Sequence, residues 1–401
     1  MRSGAYVDRV SSTGSRVRYT SRDARTIDAH PTVPTMKILH VSQPAEGGVA
    51  NYVGDLALHQ MLDGEDVTVV SPAGSPLANR TLEVGARHVD WAASRSPTPT
   101  TVGEMRRLND VVRACDPEIV HLHSSKAGLC GRAVLRGRRP VVFQPHGWSF
   151  NAVGPPIWHL TVAWERFATR WADAIVCVSD GERAVGEAVR IRDKVHVVPN
   201  GVDPAVWTYA SEEDRRWSRD RLSLRDDPLV LCVGRLQAQK GQDRLLEAWP
   251  LVRKHVPHAE LVLVGDGPDE RHLRRRAEPG VVFTGVRNDV ADWLAAADVV
   301  VLPSRSEGMP IVMLEAMARG RSVVATDVAG VRDCLAGGAG GIVSQTDPRS
   351  LALAVVDRLL DPERATTEGA LGRQRVEATF NLDRTRAGID AVYRKVLDPV
   401  S

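Results

Sequence analysis

Two glutamates, Glu307 and Glu315, flank a Gly-Met-Pro turn in the stretch SRSEGMPIVMLEAMARG, directly after the apolar run DVVVLPS. Pro is favoured in the first helical turn, so this pattern predicts a strand, a turn and a helix beginning near Pro310. The unpaired N–H groups and positive dipole end of such a helix, around Gly308, Met309, Pro310, Ile311 and Val312, form an anion site suited to a phosphate. Glu307 precedes the turn at the mouth of a cleft. Glu315 falls about one and a half turns into the helix, where its carboxylate can accept hydrogen bonds from a ribose diol. Taken alone, the pair also reads as two solvated glutamates near a helix start.

Three further stretches carry chemistry. In VGRLQAQKG, Arg235 and Lys240 are cations that suit a diphosphate whose negative charge grows as its bond to a sugar breaks; an ordinary basic surface loop is the plainer reading. In PAEGGVANYV, Gly47 and Gly48 allow a ligand to approach the main chain, although paired glycines also make simple turns. In QPHGWSF, His146 and Gly147 end another apolar run on the cleft side, and a single histidine is more often structural than catalytic.

These stretches must be positioned by something. From Met36 the chain alternates β-branched runs with segments of helical period. Strands are expected at Lys37 to Ser42, Asp66 to Ser71, Glu118 to Ser124, Pro140 to Gly147, Ala174 to Ser179 and Lys194 to Asp203. A second series is expected at Leu229 to Arg235, Ala259 to Pro268, Val281 to Val286, Ala297 to Ser304 and Arg321 to Val328. Strand alternating with helix twice over implies two doubly wound α/β lobes, with ligands bound beyond the carboxyl ends of the strands. The lobe boundary is expected within Tyr209 to Asp227. Leu382 to Leu397 reads as a terminal helix packed on a lobe. The resulting division is a flexible extension at 1–35, a first lobe at 36–208, a second at 209–380 and a closing helix at 381–401.

Bulk properties narrow the function. A chain of 401 residues fits two domains. A net charge of +2 with acids and bases interspersed leaves no footprint for nucleic acid. Five cysteines without a C-x-x-C pair argue against a disulfide framework or a structural zinc site. No apolar run approaches the roughly 18 to 20 residues needed to span a bilayer, and the N-terminus lacks the apolar core of a signal peptide. A cytoplasmic protein is therefore expected. Residues 1–35 hold few large apolar groups, which predicts flexibility.

In this order, the Gly-Gly loop, HG at His146, VVPNGVD at Val197 to Asp203, VGRL with KG, LVGDGP, VVFTGVRNDV and the E-x7-E pair resemble the retaining family 4 glycosyltransferases of GT-B fold. The resemblance covers nearly all of Met36 to Leu397. It implies two Rossmann-like domains facing a central cleft, with the terminal helix packing back on the first. It also implies that Arg235 and Lys240 hold a donor diphosphate, that the backbone after Glu307 cradles a phosphate, and that Glu315 binds the ribose. By the same resemblance Glu307 contacts sugar hydroxyls, Gly285 and Val286 lie against the nucleobase, Gly48 lies near the phosphates, and His146 near the transferred sugar or the acceptor.

The reaction so implied moves a sugar from a nucleoside-diphosphate sugar to an acceptor hydroxyl with retention of configuration. No Asp-x-Asp stretch occurs, so no metal is required by the sequence. The acceptor is expected to be a carrier-linked saccharide or glycolipid, and a soluble natural product is the alternative. Lys126, Arg132, Arg136, Arg138 and Arg139 are candidates for contact with an anionic membrane at the inner face of the cell membrane or with a lipid-linked phosphate, whereas Trp164, Phe167 and Trp171, in the tryptophan-rich segment from Trp148 to Trp171, have a helical spacing more typical of core than of membrane contact. Two rival readings remain: a nucleotide-sugar epimerase of the same architecture, and a nucleotide-sugar binding protein without turnover.

Overall fold

The computed structural model describes residues 8–10, 16–18 and 35–398. Two short strands, β1 (Asp8–Val10) and β2 (Arg16–Arg18), pair antiparallel. The rest of the expected flexible extension at 1–35, apart from Thr35, lies outside the described residues.

The first lobe runs β3 (Lys37–Ser42), α1 (Gly47–Leu62), β4 (Asp66–Ser71), α2 (Pro76–Glu83), β5 (Arg87–Asp90), α3 (Thr101–Cys115), β6 (Ile119–His123), α4 (Ser124–Leu135), β7 (Val141–Gln144), α5 (Ile157–Ala168), β8 (Ala174–Cys177), α6 (Asp180–Ala188) and β9 (Val195–Val197). Its strands form one parallel sheet in the order β5-β4-β3-β6-β7-β8-β9. The second lobe runs α7 (Glu212–Arg221), β10 (Leu229–Val233), α8 (Gln242–His255), β11 (Glu260–Val264), α9 (Glu270–Arg276), β12 (Val281–Gly285), α10 (Val290–Ala296), β13 (Val299–Leu302), α11 (Ile311–Ala318), β14 (Ser322–Thr326), α12 (Val331–Leu335), β15 (Gly341–Val343), α13 (Pro348–Leu360) and α14 (Pro362–Ala378), and α15 (Leu382–Leu397) closes the chain. Its sheet is parallel in the order β12-β11-β10-β13-β14-β15. The expected pair of doubly wound lobes is present.

Runs such as VTVV and VVVL are buried along their length because helices cover both sheet faces, which is why they read as continuous apolar segments. Several expected strands end early at a proline. β7 stops before Pro145 and β9 stops before Pro199, short of the expected Gly147 and Asp203, because proline has no N–H to continue a ladder. The edge strands β5 and β15 were not anticipated. They are three or four residues long, and β5 reads RHVD, with no β-branched run to signal it.

Two connections pass side by side where the lobes meet. Val202 bridges Asn381, Val202 N–H donates to Phe380 O at 3.0 Å, and Leu382 N–H donates to Val202 O at 3.1 Å. A Cβ at Gly201 would lie 2.3 Å from Asn381 O, so only glycine permits this crossing. The chain then re-enters the first lobe. Asn381 caps α15 by accepting from Arg384 N–H at 2.9 Å. Ile389, Val392 and Tyr393 of α15 are buried with Ile38, Val53 and Leu56 of the first lobe. Each such side chain contributes about 1.5–3 kcal/mol. The terminal helix therefore packs back on the first lobe, as expected.

Candidate functional site

Chain order reverses in each sheet between a pair of central strands, β3 and β6 in the first lobe, β10 and β13 in the second. The loops leaving these strands diverge, and the crevice between them is where open α/β sheets hold ligands. The loops holding Gly47–Gly48, His146–Gly147, Arg235–Lys240 and Glu307 each leave such a strand or its neighbour. Val197–Asp203 and Gly285–Val286 differ, since they lie at the ends of the edge strands β9 and β12.

On the second lobe, β13 delivers Ser304 and Glu307. Glu307 Oε1 lies 2.6 Å from Lys240 Nζ and accepts from Ser304 Oγ at 2.7 Å. With 9 % of its side chain exposed, Glu307 is held inside the wall of the cleft rather than solvated at its mouth. Lys240 reaches it from the turn after β10, where Gly241 must be glycine: at φ +69, an added Cβ would meet Pro303 O at 2.0 Å. Pro310 takes the capping position just outside α11 instead of the first turn, and Ile311 is the first helical residue. Proline has no N–H, so the donors at this helix tip come from Ile311 and Val312 and not from residue 310.

Glu315 is buried on α11. Burial, and then the charge of Asp55, raise its carboxyl to about 8, against the opposing pull of Arg80. Asp55 and Arg80, themselves ion-paired, belong to α1 and α2 of the first lobe, so Glu315 faces across the cleft.

The expected residues meet at several points. A Cβ at Gly48 would lie 3.4 Å from Ile311 Cγ1, so the start of α1 abuts the start of α11. A Cβ at Gly308 would lie 2.9 Å from Val178 Cγ2 and 3.0 Å from Gly147 N, which brings the Glu307 loop against the His146 loop. Ser179 Oγ donates to Gly308 O at 2.9 Å, and Asn200 Nδ2 donates to Met309 O at 2.9 Å, fixing the two walls to each other. Arg235 is not a free cation, since it pairs with Glu46 of the first lobe. Gly285 joins the wall through backbone: Gly265 N–H donates to Gly285 O at 2.9 Å, and a Cβ at Gly265 would lie 2.3 Å from Gly234 O beside Arg235. Val286, beyond it, is 67 % exposed.

The first-lobe wall is built differently. His146 has φ +52, a left-handed conformation unusual for a non-glycine residue, and Gly147 follows at φ +105. Glu182 holds this turn by accepting from Gly147 N–H and, at 2.7 Å, from Val178 N–H. Burial raises the Glu182 carboxyl to about 7. The His146 ring packs edge-on against Tyr52 with centroids 4.9 Å apart. Behind it lie three fully buried histidines, His40 on β3 and His121 and His123 on β6. Burial lowers His40 to about 4, lowers His121 and His123 far below the usual imidazole range, and lowers His146 as well. All four are neutral at pH 7.

Sequence reasoning missed Glu46, Ser304, Glu182 and the histidines behind His146. The alternation in HLHS carried a usable signal. Residues two apart on a strand share a face, and His40 is in register with His121 on the neighbouring strand.

Two of the expected membrane contacts are overturned. Lys126 is buried with Glu104 at 2.5 Å, and Arg132 is buried with Glu165 at 2.7 Å and stacked over Phe143 at 3.8 Å. A charge out of water needs such a partner, and neither is available to a surface. Arg136 is exposed, Arg138 is engaged with carbonyls of its own helix end, and Arg139 pairs with Asp116. Trp164 and Phe167 of α5 pack together with Trp171 of the turn that follows it, while Ile157, Leu160 and Phe167 are exposed, Leu160 at 72 %. Among the described residues no helix is long and apolar enough to cross a membrane.

Comparison with known proteins bears on this arrangement. Residues 46–206 match the profile described as Glycosyltransferase Family 4, and residues 227–361 the one described as Glycosyl transferases group 1. A GDP-mannose-dependent alpha-(1-6)-phosphatidylinositol monomannoside mannosyltransferase of Mycolicibacterium smegmatis is 32% identical over 368 residues, spanning 82% of this chain and 90% of that protein. The alpha-maltose-1-phosphate synthase of the same organism is 32% identical over 348 residues, spanning 77% and 88%. The solved structure of Anabaena HepE in complex with UDP and glucose superposes with a TM-score of 0.78 over 90% of this chain and 100% of that one, at 20% identity, a likeness of fold.

Proposed function

The chain belongs to glycosyltransferase family 4 and has the GT-B fold, and from that premise we propose that it transfers a sugar from a nucleoside-diphosphate sugar to a hydroxyl of a lipid-linked or carrier-linked acceptor, with retention of configuration. The observation that carries this reading is the meeting of Arg235, Lys240, Glu307 and the tip of α11 on one wall, against Gly48 and the His146 turn on the other. The acceptor class rests on relatives whose names specify phosphatidylinositol mannosides and diphosphoundecaprenol-linked sugars.

The chemistry follows from the charges. Each of these cations is engaged by a carboxylate, Lys240 by Glu307 and Arg235 by Glu46. Both pairs keep contact with solvent, so an arriving diphosphate can share the cations. As the bond from the anomeric carbon to the phosphate oxygen breaks, charge accumulates on the leaving diphosphate. Arg235, Lys240 and the N–H groups of Ile311 and Val312 stabilise it, and each such group lowers the barrier by about 3 kcal/mol. The acceptor oxygen bonds to the anomeric carbon on the face the diphosphate leaves, and its proton passes to a leaving phosphate oxygen. No bridging metal enters this scheme.

Glu315 binds the ribose diol, Glu307 and His146 contact the sugar, Gly308 to Ile311 line the phosphate cradle, and Gly285 and Val286 lie beside the base. The proposed division assigns 36–208 to the acceptor, 209–380 to the donor and 381–401 to the closing helix. The exposed stripe Ile157, Leu160 and Phe167, beside Arg166 and Arg170, makes α5 the segment that meets an anionic membrane from the cytoplasmic side.

A thermal-shift panel of GDP, UDP and ADP sugars tests the donor reading, because a ligand of the folded state raises its melting temperature. Incubation with the stabilising donor alone separates transfer from the epimerase: an isomerised nucleotide sugar without acceptor would favour the latter. The anomeric configuration of the product then reports retention.

A further inference from the structure

His146 ends a line of buried polar groups that runs away from the cleft. His146 Nε2 lies 3.1 Å from His123 Nδ1, His123 Nε2 lies 3.0 Å from His40 Nδ1, and His40 Nε2 lies 2.7 Å from Gln60 Oε1. Gln60, on α1, is buried, and among the described residues its Oε1 bonds His40 while its Nε2 has no hydrogen-bond partner.

A carbonyl oxygen can only accept, so His40 Nε2 must carry a proton. A neutral imidazole carries only one, so His40 Nδ1 is bare and accepts from His123 Nε2–H. His123 Nδ1 is then bare and accepts from His146 Nε2–H. The polarity passes ring by ring until His146 Nδ1 is left unprotonated. That nitrogen has no hydrogen-bond partner among the described residues, and the ring is half-buried beside the Glu307 loop. Its backbone is in the left-handed region, at φ +52, which sets the direction in which the ring leaves the turn.

We infer that Gln60, His40 and His123 are positioning residues for transfer, holding His146 as the Nε2–H tautomer so that its Nδ1 lone pair accepts a hydrogen bond from a hydroxyl of the donor's sugar. The inference rests on the proposed location of the sugar beside His146. It assigns His146 the part of an oriented neutral acceptor and excludes it as a proton donor. It also explains why a row of histidines that never reaches the cleft is built into the two central strands. Turning the Gln60 amide end for end would reverse every bond in the line and leave Nδ1–H facing the sugar, so the outer nitrogen is a direct readout of the inner amide.

Long-range ¹H–¹⁵N spectra of the full chain, labelled at histidine nitrogens and assigned for His146 with His146→Gln, decide the matter. The expected result at pH 7 is a protonated Nε2 and a bare Nδ1 at His146, His123 and His40. In Gln60→Met, which removes the carbonyl, the His146 tautomers should mix and kcat should fall about tenfold, the equivalent of one hydrogen bond, with nucleotide affinity unchanged. Nδ1–H or a charged ring at His146 in the unaltered protein overturns the inference, and so does a loss of kcat in Gln60→Met with the tautomers unmoved. Stoichiometric divalent metal in the purified protein would also overturn it, since the nitrogens of His40, His121 and His123 that lie within 4.8 Å of one another would then be bound to the ion. The unaltered spectrum suffices if Gln60→Met does not fold. Sugar transfer with the opposite tautomer sinks the line and spares the proposed reaction, whereas the expected tautomer in a protein that binds no nucleotide sugar does the reverse.

Discussion

The two walls of the cleft hold polar groups by opposite means. The second-lobe wall uses charge: Lys240 with Glu307, and Arg235 reaching across to Glu46, in pairs that keep some contact with solvent. The first-lobe wall uses neutral groups in dry surroundings, where His146, His123, His40 and Gln60 form a line with little room to rearrange. An ion pair near water can exchange its partner for a ligand at low cost, because solvent and ligand compensate the separated charges. A buried neutral line cannot, because each bond broken leaves an unsatisfied group out of water. The charged wall is therefore suited to gripping and releasing a diphosphate, and the neutral wall to holding one ring in one orientation.

Removing the grip should have the largest effect. Arg235→Gln with Lys240→Gln is expected to lower transfer by on the order of 10⁴ if the two contributions add, and to weaken nucleotide binding measured by calorimetry. Unchanged affinity and turnover would erase the distinction between the walls. Next in size is Glu307→Gln, which frees Lys240 from its carboxylate. Nucleoside diphosphate alone should bind as well or better, while transfer falls about tenfold to a hundredfold through the lost charged hydrogen bond to the sugar. A variant that binds donor and transfers at full rate would remove Glu307 from the reaction.

Glu315 lies at the buried end of the second-lobe wall, where the carboxyl is protonated at pH 7. Burial raises its folded-state value to about 8, above the ordinary carboxyl value of 4.5. Between those values the folded state holds a proton that the unfolded state has lost, so this group's contribution to stability is present at pH 4.5 and is lost as pH rises through 8. Glu315→Gln should therefore melt close to the parent near pH 5 and progressively above it up to pH 8, with the gap constant beyond. A scan of melting temperature against pH without nucleotide checks this, and a gap that shrinks with pH would contradict it. The smallest effect is expected from Tyr393→Phe. Tyr393 OH lies 2.7 Å from His121 Nδ1, tying α15 to the histidine-bearing strands, and its loss should cost about 1 kcal/mol in a denaturant titration and leave nucleotide affinity unchanged.

Much of this was legible before any coordinates. The strands Lys37–Ser42 and Asp66–Ser71 and the helix Leu382–Leu397 fall where periodicity places them, because a parallel strand covered on both faces must be apolar throughout and a docked helix must be apolar on one stripe. Lys240 and Glu307 were both candidates, yet their ion pair was not foreseeable across 67 positions of chain. Lys126 and Arg132 show the converse. A cation in sequence looks like a surface group, and only the positions of Glu104 and Glu165 reveal that both are buried and neutralised.

The sequence by itself determined two doubly wound lobes, the helix that returns to the first of them and the residue types on the cleft loops, since these follow from local period, chain direction and turn chemistry. The tertiary structure alone decided which carboxylate meets which cation, that Glu315 is buried opposite Asp55 and Arg80, and that His40, His123 and His146 stand in line. Those outcomes depend on distances between segments far apart in the chain and on exclusion of water, and neither quantity is written in the order of the residues.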